Sequence, residues 1–190
     1  MISVGYIYKK VAPATNWDDR SRDGIKDIYA VSDCISRKFT DDYIKYWKHN
    51  NFWFFDTPVP MEEIAANESI DLSEMTLFYY EIYEEEYNDD THTWESIQVE
   101  ELIAQLSDVI LPKEKRLEGF DVVCFFKPIS IECSPLSCNG LDSTIPVNQH
   151  CLIDSFDEAK NALESGLFTN SEPGPYRIFA VYTVPHHATT

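Results

Sequence analysis

The chain has 190 residues, 33 of them acidic and 15 basic, for a formal net charge of −18, and 44% of it is apolar. That length suits one domain with a sizeable core, and that apolar share excludes wholesale disorder. So negative a surface repels nucleic-acid phosphates and anionic membranes and attracts basic partners, while six glycines leave little for a glycine-rich phosphate loop.

Residues 2–8 alternate and are rich in aromatic and β-branched types, which predicts a first strand. They lack a preceding basic stretch and are followed by Lys9 and Lys10, the wrong order for a secretory signal. With no apolar run of about 18 residues, the expectation is a cytoplasmic protein. Residues 28–35 fit a strand or a short helix equally. Thr40, Asp41 and Asp42 resemble a helix start, followed by Tyr43, Ile44, Tyr46 and Trp47 at helical spacing. Residues 52–55 are a short apolar strand candidate, and Pro60 suits the first turn of a helix through about Ala66.

Residues 75–87 predict a long strand, Asn88, Asp89 and Asp90 a turn, and residues 93–98 a hairpin partner. Val99, Leu102, Ile103, Leu106, Val109 and Ile110 share one helical face that Pro112 terminates. Residues 120–126 read as a buried strand and 130–148 as an irregular loop. Ser155 and Glu158 match a capping box for a helix to about Ser165, with Gly166 at the left-handed C-terminal position. Residues 172–175 form a rigid turn into a last strand at 176–184, and 185–190 read as a loose tail. The expected fold is α+β: one domain over residues 1–190, a mainly antiparallel sheet with about three to four helices packed on it.

The sharpest constellation lies in residues 74–101, which contain ten acids and no lysine or arginine. On a strand, period two sends Phe78, Tyr80 and Ile82 to the core and Tyr79, Glu81, Tyr83, Glu85 and Tyr87 outward. Together with Asp89 and Asp90 these make a candidate partner-binding surface, because tyrosines give rigid contact area and carboxylates pair with basic side chains. The same residues fit a solvated strand whose charges prevent edge pairing.

Five cysteines in a chain read as cytoplasmic are expected to be reduced. Cys133 and Cys138, with His150 and Cys151, offer four soft zinc ligands at spacing on the margin of the usual rule. Adjacent side chains on an extended segment point apart, so buried thiols are the competing reading. Asp19, Ser21, Asp23 and Gly24 imitate the opening of a calcium loop, but Ala30 stands where the bidentate glutamate belongs. No residue set meets the requirements of a catalytic site, and no cofactor is expected.

The strings Glu132-Cys-Ser-Pro-Leu-Ser-Cys-Asn139, Pro146-Val-Asn-Gln-His-Cys-Leu152 and Glu172-Pro-Gly-Pro-Tyr-Arg-Ile-Phe179 resemble a family of uncharacterised bacterial cytoplasmic proteins, as does the stretch 77–87. In size, acidity and aromatic content the chain also resembles immunity proteins of bacterial polymorphic toxins. That second resemblance implies a non-catalytic inhibitor that occludes a basic toxin domain. The alternatives are a zinc- or thiol-dependent protein centred on Cys133, Cys138 and Cys151, and a housekeeping interaction module.

Overall fold

In the computed structural model, residues 1–14, 24–35, 37–38, 54–97, 108–127 and 130–185 are described. The expected helices at 40–48 and through most of 99–110, the calcium-like residues 19–23 and the tail from 186 lie outside these.

Aromatic and β-branched residues build the strands, as their fit to a pleated, half-buried surface requires. β1 (Ile2–Lys10), β4 (Arg37–Lys38), β5 (Thr76–Asn88), β6 (Thr93–Ser96), β7 (Arg116–Lys127), β8 (Ser130–Cys133) and β9 (Tyr176–Thr183) form one sheet. Its order is β4-β1-β5-β9-β7-β8, every pair is antiparallel, and β6 lies along the distal half of β5. β2 (Ala12–Pro13) and β3 (Asp27–Ile28) make a small second ladder, so of residues 28–35 only the start is strand and 31–35 is a turn.

Three α-helices occur among the described residues. α1 (Val59–Glu68) has proline in its first turn and ends at Ser69, which adopts a left-handed conformation. α2 (Pro135–Cys138) is a single turn. α3 (Phe156–Glu164) begins at Ser155, whose Oγ accepts the Glu158 amide at 3.3 Å and donates to its carboxylate at 2.7 Å. The two ends of the capping box thus meet, and Gly166 beyond the helix has φ +76°, the left-handed conformation its place demands.

The sheet is buried on both sides. Val122, Cys124, Tyr176 and Ile178 join one apolar cluster with Ala159, Leu163 and Ile153. Their neighbours Val123, Phe125, Phe179 and Val181 join another with Phe78, Tyr80 and Ile82. Because successive side chains on a strand point to opposite faces, these clusters occupy the two faces. Register shifts at Ser3/Gly5, Ile82/Glu86 and Leu117/Gly119 add local twist that curls the sheet. The region expected to be an irregular loop at 130–148 is instead ordered. It carries β8, α2 and a 3₁₀ turn at Leu141–Ser143, built because Ser134 and Pro135 begin a helical turn directly after a strand.

Candidate metal centre

A buried polar scaffold joins two segments that are distant in sequence. Lys9, 1% exposed, donates through Nζ to the carbonyls of Ala30, Val31 and Ser32 at 2.8, 2.7 and 2.9 Å and lies 3.4 Å from Asp33 Oδ1. A buried ammonium is tolerated only when paired and hydrogen-bonded in this way. Beside it, Asp121 Oδ2 accepts the Val31 amide at 2.8 Å and the Ser134 hydroxyl at 2.6 Å. Ser134 Oγ accepts in turn from the Ser32 amide at 3.1 Å. Burial pushes the Asp121 carboxyl up to about 6, only partly offset by these donors and by Lys9. The turn at 30–34 is thereby fixed against the start of α2.

That clamp brings three thiols together. Cys34 on the turn, Cys133 at the end of β8 and Cys138 at the end of α2 have sulfurs all within 4.8 Å of one another. Cys124, opposite Cys133 in the β7–β8 ladder, is buried and donates to the Cys133 carbonyl at 3.5 Å. Four of the five cysteines thus run from the interior to the exposed Cys34. Hydrogen bonds from Cys133 and Cys138 draw the Cys34 thiol down, against burial, with help from Ser32 and the Lys9 charge. Cys133 moves up, through contact first with Cys124 and then with Cys138 and Cys34. Cys34 also donates to the Glu132 carbonyl at 3.4 Å, and Cys133 to Asn139 Oδ1 at 3.7 Å.

Of the four ligands expected from sequence, the structure unites Cys133 and Cys138 and leaves His150 and Cys151 elsewhere. His150 stacks on Tyr29 with ring centroids 4.1 Å apart and lies 3.7 Å from Glu118 Oε2. Burial lowers its pKa. Cys151 is buried in the apolar cluster of Val122, Ile153 and Ile178, with a backbone φ of +60°. The third thiol of the cluster is Cys34, 99 positions before Cys133, and no local spacing could have revealed it. The usable sign was Lys9, a lysine ending an apolar strand, whose burial draws the 30–34 turn inward.

The tyrosine–glutamate surface expected to face outward is buried at its two end members. Tyr79 is 0% and Tyr87 4% exposed, because the sheet is covered on that side too. Tyr79 packs against Tyr6 and Tyr182. Tyr83 is half-buried against Phe156 of α3, its hydroxyl 2.7 Å from Glu85, and Tyr87 lies against Trp94. Glu81 accepts from Lys115 at 2.5 Å and from Tyr182 at 2.8 Å. Asp89 accepts the Gly174 amide at 3.2 Å, while Asp90 is exposed.

No family model, curated protein or solved structure matches the chain.

Proposed function

We propose that Cys34, Cys133 and Cys138 hold a thiophilic metal ion, with zinc the leading candidate. The observation that carries this reading is the convergence of the three sulfurs within 4.8 Å. Zinc bonds thiolates at about 2.3 Å in a tetrahedron, which sets sulfurs about 3.8 Å apart, so closing on an ion needs only a small contraction. Cys124, whose thiol donates to the Cys133 carbonyl at 3.5 Å, offers a sulfur for a fourth position. The Lys9 ammonium offsets the negative charge of the thiolates, and the Asp121–Ser134–Ser32 bonds orient both ligand-bearing segments.

The test is metal analysis and thiol protection on the intact protein. One equivalent of zinc, or of added cadmium, is expected to be retained and to shield Cys34, Cys133 and Cys138 from a thiol reagent. Cys34→Ser should abolish stoichiometric binding and Cys151→Ser should leave it unchanged. An ion-free protein that takes up no cadmium and shows no protection rejects the proposal.

A second reading, neutralisation of a basic toxin domain, is supported by the net charge of −18 but no longer by a tyrosine face. It expects association with such a domain to slow steeply as salt rises, which stopped-flow kinetics measures.

A further inference from the structure

Away from the thiols, α3 and the segment 145–147 border an open groove of about 600 Å³. Its apolar lining comes from Ile145, Pro146, Val147, Ile153, Ala162 and Leu167, and its polar edge includes Asp154, Glu158 and Glu164. Leu167 is 45% exposed, so apolar surface faces water here. The wall on α3 follows helical spacing, with Glu158, Asn161, Ala162 and Ser165 at i, i+3, i+4 and i+7. Among the lining residues there is no lysine or arginine.

Both walls are held firmly. Ser155 caps α3. Asn148 Oδ1 accepts the amides of His150 and Leu152 at 2.9 and 3.3 Å, and its Nδ2 donates to the Glu118 carbonyl at 2.8 Å and to Asp154 Oδ1 at 3.1 Å. A preformed apolar trough costs little ordering when something enters it.

We infer that this groove docks an apolar side chain presented by a positively charged peptide segment of a partner protein. Enclosed small-molecule pockets bury most of their ligand, whereas an open trough covers one side and suits an anchor residue on a larger molecule. Carboxylates at both ends of α3, on a chain of net charge −18, complement lysine or arginine flanking the anchor and disfavour an acidic segment. The inference rests on the reading that the partner is basic, and it moves the contact from β5 to α3. It is independent of the metal centre.

The probe is a fluorescein-labelled peptide with a leucine–phenylalanine–leucine core flanked by arginines, read by anisotropy at low salt. One control replaces the core with serines and another replaces the arginines with glutamates. The arginine peptide with the apolar core should bind most tightly and perturb amide resonances of residues 145–147 and α3. Asn161→Trp, from an exposed position, should fill the trough and weaken binding about tenfold or more. The double variant Asp154→Asn/Glu158→Gln should weaken it about two- to tenfold, as befits exposed ion pairs. If the serine-core peptide binds as tightly, or Asn161→Trp changes nothing, the groove inference fails while the charge-based reading survives. If neither arginine peptide binds, both fail.

Discussion

At the scale of single residues, the least replaceable groups are the buried charges beneath the thiols. Asp121→Ala would remove the acceptor of the Val31 amide and the Ser134 hydroxyl and leave Lys9 less compensated. The expected loss is about 3 kcal/mol of unfolding free energy in urea, because breaking a buried charged network strands its partners. The same carboxyl has a pH signature. Its value is about 6 in the native protein against an ordinary 3.8, so between those values the folded state holds a proton that the unfolded chain has released. Its contribution is therefore fully present below about 4, declines as pH rises to about 6, and stays flat above. Urea midpoints compared with those of Asp121→Asn, which cannot titrate, would show that slope vanish. Glu81 has the opposite sign. Burial pushes it up, but hydrogen bonds from Lys115, Tyr182 and Tyr79 together bring it below its ordinary value, so its contribution is lost as acid protonates it.

At the scale of elements, close approaches decide what can change. A Cβ on Gly119 would stand 2.8 Å from the Ile153 carbonyl and 2.8 Å from Leu152 Cβ, and Gly119 has φ +146°. Gly119→Ala is expected to cost about 2–3 kcal/mol in thermal or urea unfolding, since the clash is with backbone at a conformation unfavourable to L residues. Much at this scale was legible. The long strand, its hairpin partner, the Ser155 cap, Gly166 and the last strand follow from local pattern and turn chemistry, and β1, α1 and β7 sit where periodicity or proline put them. What local pattern missed is tertiary. Alternation on residues 77–87 implies one wet face, but β5 lies inside a sheet covered on both sides, and a register shift at Ile82/Glu86 breaks its period. Tyr79 and Tyr87 therefore found partners inside rather than outside. Two of the three thiols of the candidate site, Cys133 and Cys138, were visible. Cys34 was not, because its place depends on Lys9 holding the carbonyls of residues 30–32, a contact between segments more than 20 positions apart.

For the whole molecule, the proposed metal ion would act on stability. If a thiophilic ion binds the folded thiols and not the unfolded chain, free zinc at about a hundred times its dissociation constant should add about 2.7 kcal/mol of stability. A zinc-dependent upward shift of the melting temperature, absent in Cys34→Ser, checks this by differential scanning fluorimetry. No helix among the described residues is long and apolar enough to cross a membrane.

β9 occupies the middle of the sheet, between β5 and β7, although it is the last of these strands to leave the ribosome. Until Tyr176–Thr183 emerges, β5 and β7 each present a bare hydrogen-bonding edge and uncovered aromatics to the cell. The β5–β9–β7 core of the sheet therefore cannot close until β9 has been made. A ribosome-stalled fragment ending before residue 176 should stay protease-sensitive, and one extending well past β9 should resist.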